Sequence, residues 1–165
     1  GIVTTHNYKY DSLGNLISYT DGNGNTNTYN YNNSDQVVSE TNGAGLTKTC
    51  ERDGNGNITK ITYPEGSNGA TESAVYDNAG NLVKLVDIIG STTEYTYGSG
   101  KVLYGITDAN GGTISYSYYG NGLLKSQTDA KGNTTTLAYD NAGRVTTITD
   151  ALGNKTTIGY DTVVG

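Results

Sequence analysis

The sequence predicts an all-β fold built from tandem antiparallel β-hairpins of about 21 residues each, without helices. Three observations predict it. A short Tyr-Asp segment recurs at a nearly constant spacing, Gly recurs at fixed places between the copies, and the remaining stretches are rich in Thr, Val, Ile and Tyr. Such residues favour strands, and a wide row of short strands curls rather than staying flat. We therefore expect a curved or spiralling, solenoid-like sheet.

The repeat is clearest in residues 139–145 (YDNAGRV), which closely match residues 76–82 (YDNAGNL) and 10–16 (YDSLGNL). A partial unit starts at Tyr160, and the full units begin at Tyr10, Tyr31, Arg52, Tyr76, Tyr97, Tyr118 and Tyr139. Successive starts are 21 residues apart except for one interval of 24, whose extra residues fall in the turn-rich stretch 64–69. We predict a single repeat array over residues 1–165, with partial units at both ends.

Several positions of the aligned units hold constant chemistry when the starting Tyr is position one. Position seven is always aliphatic: Leu16, Val37, Ile58, Leu82, Leu103, Leu124 and Val145. Position twelve is usually Asp: Asp21, Asp87, Asp108, Asp129 and Asp150. Position fifteen is Gly, with Gly66 or Gly69 in the long unit: Gly24, Gly45, Gly90, Gly111, Gly132 and Gly153. Position twenty is mostly aromatic or aliphatic, with Cys50 in the second unit: Tyr29, Tyr95, Tyr116, Leu137 and Ile158.

Each unit is predicted to contain two strands and two turns. Asp140 precedes Gly143 in one turn, and Asp150 precedes Gly153 in the next. Asp at the first place and Gly at the fourth are typical of a type I turn. The carboxylate accepts nearby backbone N–H bonds, and Gly adopts positive φ without steric cost. Short strands joined by such turns form an antiparallel meander.

Composition limits the functions that are open to the chain. Only 33% of the residues are hydrophobic, so burial must come from rows of Tyr and aliphatic side chains on sheets. A net charge of −6, with ten scattered Lys and Arg, argues against a nucleic-acid partner. The sequence has no apolar run of about 18 residues for a membrane span. Gly1, Ile2 and Val3 do not open a signal peptide, so we expect either a removed signal or a segment of a longer protein.

The pattern Tyr-Asp-x-x-Gly-Asn/Arg-Leu/Val, then Thr-Asp-x-x-Gly-Asn-x-Thr and Tyr-x-Tyr, resembles the YD repeat, also called the RHS repeat. The resemblance extends from about Thr4 to Asp161. It implies the long spiralling sheets of bacterial RHS and wall-associated proteins, toxin-complex components and teneurins, in a surface or secreted setting. Complete members form a hollow shell that can enclose a toxic domain, and carbohydrate binding is attributed to some. This chain is too short for such a shell and lacks the terminal core motif, so neither toxin delivery nor autoproteolysis is implied.

We expect no catalytic site, no cofactor and no metal centre. His6 and Cys50 are the single His and Cys, which leaves the usual Ser-His-Asp, zinc and disulfide arrangements incomplete. We interpret His6 as a solvated side chain and Cys50 as a small packing residue. Residues 21–25 and 53–57 (both DGNGN) resemble the start of a calcium loop, but they lack Gly at the sixth place and Glu at the twelfth. Turn formation is the stronger interpretation, and calcium the weaker.

The Tyr residues leave two interpretations open. Tyr at alternate places in a strand share one face, and we expect them to pack as cross-strand ladders between neighbouring units. Exposed Tyr faces beside Asn and Asp also suit stacking on sugar rings. Adjacent Tyr118 and Tyr119 are expected on opposite faces. The candidate surface-binding residues are Tyr29, Tyr31, Tyr95, Tyr97, Tyr116, Tyr118 and Tyr119.

These observations predict a structural scaffold, not an enzyme. We expect a shell, wall or filament segment of a larger or self-assembling extracellular bacterial protein, with a carbohydrate-binding or adhesin module as the alternative. Terminal strands expose unpaired edges, so the expected partners are further repeats of the same chain or end-to-end copies of itself. No nucleic acid and no membrane span are expected.

Overall fold

The computed structural model describes residues 4–64 and 68–161, and contacts divide the chain into two compact units, one ending at Ser91 and one beginning at Thr92. The strands of the first unit are β1 (Asn7–Tyr10), β2 (Leu16–Thr20), β3 (Thr26–Tyr31), β4 (Val37–Thr41), β5 (Thr47–Arg52), β6 (Ile58–Thr62), β7 (Thr71–Tyr76) and β8 (Leu82–Val86). Those of the second unit are β9 (Thr92–Tyr97), β10 (Leu103–Thr107), β11 (Thr113–Tyr118), β12 (Leu124–Thr128), β13 (Thr134–Tyr139), β14 (Val145–Thr149) and β15 (Lys155–Thr157).

Each of the two compact units, from here on called simply a unit, is a meander of antiparallel hairpins, and a 21-residue segment is called a repeat. In the first unit β1 to β8 pair in chain order, and in the second unit β9 to β15 do the same. Each strand pairs antiparallel with its sequence neighbours, as in β1 with β2 and β13 with β14. The predicted all-β fold of repeated hairpins is therefore confirmed. Within the described residues the only helical segment is a three-residue 3₁₀ turn, Ser99–Lys101, inside one hairpin connection. A single array over residues 1–165 stays a prediction.

Two kinds of strand alternate in each unit. The even-numbered strands carry positions seven to eleven of a repeat, and we call them first strands. The odd-numbered strands carry positions from seventeen onward, and we call them second strands. A β-bulge interrupts the ladder where a second strand pairs with the following first strand, and it places position one opposite position seven, as Tyr139 lies opposite Val145. The same register shift occurs at Tyr10, Tyr31, Arg52, Tyr76 and Tyr118.

Both connections of the repeat that begins at Tyr139 use the same Asp-x-x-Gly turn. Gly143 N donates to the Asp140 carbonyl at 3.0 Å, and the Asp140 carboxylate accepts the N–H groups of Ala142 and Arg144. Gly143 has a φ of 78°, in the region that only Gly adopts freely. The Asp150 turn repeats these bonds at residues 150–154. The predicted turn chemistry of Asp and Gly is confirmed.

The longest hairpin connection joins β6 to β7. Tyr63 N donates to the Ala70 carbonyl at 2.9 Å, which closes the base of the connection. Gly69 has a φ of 63° and takes the place predicted for Gly66 or Gly69, while Gly66 lies outside the described residues.

Neither unit has a buried hydrophobic side chain among residues 4–64 and 68–161. The described strands of each unit form a single-layered sheet, so the Tyr and aliphatic side chains are mostly half-buried against neighbours on the same face. The two faces differ in chemistry. One carries cross-strand hydroxyl pairs, such as Thr20 with Thr26 and Thr128 with Thr134, each with 2.8 Å between Oγ1 atoms. We call it the hydroxyl face; the opposite face carries most of the Tyr and aliphatic side chains.

Candidate functional site

Four of the Tyr residues at position one hydrogen-bond the preceding repeat, whereas no hydrogen bond of the described residues involves the hydroxyl of Tyr76 or Tyr97. Tyr139 Oη donates to the Leu124 carbonyl at 2.9 Å, and Tyr118 Oη donates to the Leu103 carbonyl at 2.7 Å. Donor and acceptor are fifteen residues apart, and the acceptor is always position seven. The same bond joins Tyr31 to Leu16 and Tyr160 to Val145. We call this bond the tyrosine clamp.

The clamp supplies a donor where the backbone ladder is incomplete. The ladder between β12 and β13 begins with Ser126 opposite Thr136, so the carbonyl of Leu124 lies outside it. A part-buried carbonyl without a donor is destabilising, and the Tyr139 hydroxyl supplies the donor. Tyr31 and Tyr118, two of the candidate binding residues, therefore have a structural role. Sequence reasoning missed this role, although the fixed distance of fifteen residues between position seven and the next Tyr was a signal for it.

Arg52 replaces the Tyr of position one in the third repeat but still contacts the same carbonyl. Its Nη2 donates to the Val37 carbonyl at 3.3 Å, and its Nη1 donates to the Gly56 carbonyl at 2.8 Å. Cys50, half-buried opposite Ile61, also donates from Sγ to the Val37 carbonyl at 3.0 Å. The Nε of Arg52 is buried without a hydrogen-bond partner. We call this arrangement the arginine clamp.

The candidate Tyr residues at position twenty do not stack on one another. In the first unit Tyr29 lies opposite Glu40. In the second unit Tyr95 and Tyr116 lie opposite Ile106 and Gln127. The predicted Tyr ladders between neighbouring repeats are wrong, because a first strand always separates two second strands.

Ring contacts occur between other pairs of aromatic residues. Tyr104 meets the half-buried Tyr118 edge to face at 5.6 Å between centroids, and Tyr8 meets Tyr19 at 4.9 Å. His6 is exposed, as predicted, and its Nδ1 lies 2.9 Å from the Tyr19 hydroxyl. Tyr97, the remaining candidate, is half-buried opposite Leu103 at a bulge.

Tyr119 is the most exposed of the candidate residues, at 39%. It occupies position two, where most repeats have Asp or Asn, and it begins a turn, so strand alternation does not place it on a face. Its Oη donates to the Leu137 carbonyl at 2.9 Å, and its ring meets Tyr139 edge to face at 6.1 Å. An open cleft of about 550 Å³ lies beside these two rings, and its polar lining includes Asn121, Asp140 and Asn141.

The acidic group of this cleft is already paired. Backbone N–H donation from Arg144, followed by the Arg144 side chain, lowers the pKa of Asp140, against a raising effect of desolvation. The Asp140 carboxylate contacts the guanidinium at 2.7 Å, and the same guanidinium lies 4.4 Å from the centre of the Tyr160 ring. The cleft therefore offers aromatic faces and side-chain amides to a ligand, rather than a free carboxylate.

The two DGNGN segments form ordinary turns. Asp21 accepts the backbone N–H groups of Asn23 and Asn25 through Oδ1, and the Asn25 side chain through Oδ2. Asp53 makes the equivalent bonds. The turn interpretation is confirmed. In the part of the chain that the structure describes, no group of three or more His, Cys, Asp or Glu is placed to hold a metal ion. That part also has no helix that is long and apolar enough to cross a membrane.

The repeat pattern and its turns match a known family. The family model described as RHS Repeat matches residues 10–47, 31–67 and 118–155, which together cover more than half of the chain. The chain belongs to the RHS repeat family. No curated protein matches the sequence.

Solved structures share the fold of this RHS-repeat chain. The crystal structure of TcdB2-TccC3-TEV has a TM-score of 0.61 and 17% identity over 93% of this chain and 9% of that chain. The crystal structure of TcdB2-TccC3-Cdc42 has a TM-score of 0.57 and 14% identity over 94% of this chain and 11% of that one. A structure of the Photorhabdus luminescens Tc holotoxin pore has a TM-score of 0.50 and 14% identity, again over 94% and 11%. This chain thus spans about a tenth of the length of these relatives.

Proposed function

We propose that the chain is a structural segment of a larger extracellular or cell-surface bacterial protein, a piece of shell, wall or filament whose sheet is continued by further repeats. The tyrosine clamp is the observation that carries this proposal. Four repeats receive a hydrogen-bond donor for their position-seven carbonyl from the Tyr that follows them, and a fifth receives one from Arg52. These repeats obtain that donor only when another repeat follows them.

Two further features support a scaffold role. Among the described residues, β1 in the first unit and β15 in the second each have one edge without a paired strand, and such edges are templates for further pairing. Because residues 4–64 and 68–161 include no buried apolar side chain, stability depends on contacts between neighbouring repeats. More repeats in the same chain, or copies of the chain joined end to end, are the partners that such edges accept.

Fractionation of the source cells tests the proposal. An antibody raised against this chain is expected to detect a polypeptide much larger than 17.3 kDa, in the medium or on the protease-accessible cell surface. The proposal is contradicted by a protease-inaccessible species of 17.3 kDa in the cytosol.

Carbohydrate binding is the second candidate function, and the cleft beside Tyr119 is the observation that favours it. An exposed Tyr ring next to Asn121 and Asn141 suits stacking on a sugar and hydrogen bonding to its hydroxyls. Titration with a panel of oligosaccharides, followed by NMR, is expected to shift resonances of the cleft residues. Tyr119→Ala should abolish the shifts, whereas the control Tyr104→Ala, at an exposed Tyr outside the cleft, should keep them. No shift at millimolar sugar overturns this candidate.

A further inference from the structure

We infer that the open edge of β1 is a docking site for one kind of strand, the first strand of an RHS repeat, and that Tyr10 recognises this strand by donating a hydrogen bond to its position-seven carbonyl. The inference rests on the proposed function, in which further repeats continue the sheet. It goes beyond that function by naming the class of strand that fits and the group that recognises it.

Tyr10 is a position-one Tyr whose backbone is in place but whose clamp has no acceptor. It lies opposite Leu16 across a bulge, as Tyr139 lies opposite Val145. Its side chain is 58% exposed, whereas the clamped Tyr139 is half-buried. No hydrogen bond of the described residues involves the Tyr10 hydroxyl, and the same is true of Tyr76 and Tyr97, whereas the other four position-one Tyr residues are clamped. The repeat geometry places the missing acceptor on a strand along the open edge of β1.

The class of that strand follows from the pairing within each unit. In the first unit the first strand β2 lies between the second strands β1 and β3, and in the second unit β12 lies between β11 and β13. β1 is itself a second strand, so its open edge continues the pattern only with a first strand. The fitting segment is five residues long and begins with an aliphatic residue whose carbonyl lies outside the ladder, as in β14.

A second copy of this chain does not provide such a strand at its free edge. β15 carries positions seventeen to nineteen, so it is also a second strand. Joining β15 of one copy to β1 of another would set two second strands side by side and would offer Tyr10 no position-seven carbonyl. The occupant that fits is therefore the first strand of a preceding repeat in the parental chain.

A grafted repeat tests the inference in the full chain. A copy of residues 139–154, which supplies positions one to sixteen, is placed directly ahead of Thr5, which occupies position seventeen. Amide hydrogen exchange is expected to slow at least tenfold at the β1 amides that face the open edge. Tyr10→Phe should then lower the protection of the grafted strand about tenfold, as expected for loss of one hydrogen bond to a partly buried carbonyl. The same substitution should leave exchange in the ungrafted chain unchanged.

Controls separate the parts of the inference. A graft in which residues 155–160 replace the copied strand 145–149 should give no protection, because it offers a second strand. Equal protection by this graft, or protection of β1 when ungrafted copies are mixed at high concentration, overturns the assigned strand class. If the graft slows exchange at β1 equally with and without Tyr10→Phe, the role of Tyr10 is overturned, while pairing of a first strand with β1 is still supported. Unchanged exchange at β1 in the grafted chain overturns docking at this edge. The proposed function is tested separately, by the size and location of the polypeptide that the antibody detects.

Discussion

The tyrosine clamp at Tyr139 and the arginine clamp at Arg52 serve the same backbone position by different chemistry. Tyr139 makes one hydrogen bond of 2.9 Å to the carbonyl of the preceding repeat. Arg52 makes a longer bond of 3.3 Å to the equivalent carbonyl and a bond to Gly56 in its own turn, and it leaves its Nε buried without a partner. Two different side chains can therefore supply a donor to this carbonyl, and the Tyr hydroxyl does so without leaving an unsatisfied group.

The largest expected effect comes from removing the tyrosine clamp. Tyr139→Phe keeps the ring and deletes the donor, so the free energy of unfolding should fall by about 1.5 kcal/mol. Urea denaturation measures the change. Tyr104→Phe is the matched control, because no hydrogen bond of the described residues involves the Tyr104 hydroxyl and its side chain is 44% exposed. Equal losses in both variants would show that the clamp contributes nothing specific.

Converting the arginine clamp into a tyrosine clamp should change the free energy of unfolding in the opposite direction. Arg52→Tyr should raise the free energy of unfolding by about 1 kcal/mol, because it removes the unpartnered Nε and restores the usual donor. Arg52→Lys is the control and should be destabilising, since one ammonium group lacks the fork that contacts the carbonyls of both Val37 and Gly56. Thermal denaturation of the three proteins ranks them, and a less stable Tyr variant would contradict the comparison.

A smaller change in stability is expected from a substitution in one of the turns that follow position one. Lys101 has a φ of 64° at the place where Gly56 and Gly143 stand in other repeats. Lys101→Gly should stabilise the chain by about 0.5 kcal/mol, because relief of the left-handed strain exceeds the extra entropy of the unfolded chain. Lys131→Gly, in a turn where positive φ falls on the neighbouring Gly132, should be destabilising instead. Denaturation midpoints that move in the same direction for both variants would rule out this explanation.

The smallest expected effect is a dependence on pH that arises in the turns and not in the clamps. Asn side-chain donation is the largest cause of the lowered pKa at Asp11, Asp21, Asp53, Asp129 and Asp150. The folded pKa lies below the unfolded one, so this stabilisation is present above about pH 4 and is lost as the pH falls through the folded pKa.

Replacement of these Asp residues by Asn tests the dependence on pH. Asn32 and Asn42 already accept the same pair of backbone N–H groups through Oδ1, so Asn should preserve the turn without titrating. Denaturation midpoints measured between pH 2 and pH 7 should fall in acid for the parent chain and change less for the five-fold Asn variant. An equal fall in both would place the acid sensitivity elsewhere.

The hairpins and turns could be predicted from the sequence because their chemistry is local. Asp140 and Gly143 act within one five-residue segment, so the local pattern Asp-x-x-Gly is enough to predict the turn. The clamps were missed, because the constant spacing identifies the Tyr but not its acceptor, a backbone carbonyl that becomes available only through the bulge opposite position one. Tyr ladders were expected because position twenty repeats, but the register sets Tyr29 against Glu40 and not against another Tyr. The cleft at Tyr119 depends on one departure from Asp at position two.

The lack of a buried apolar core in the part of the chain that the structure describes has a mechanical consequence. A globular domain resists a pulling force until its core ruptures at once, whereas each unit of this chain is held by the ladders and clamps that join consecutive strands. We expect tension on an end of the chain to detach one hairpin at a time. Every step would release about 21 residues, or roughly 70 Å of extended chain. Such a protein would lengthen under load in small, repeatable increments and would refold by the same steps when the load is removed.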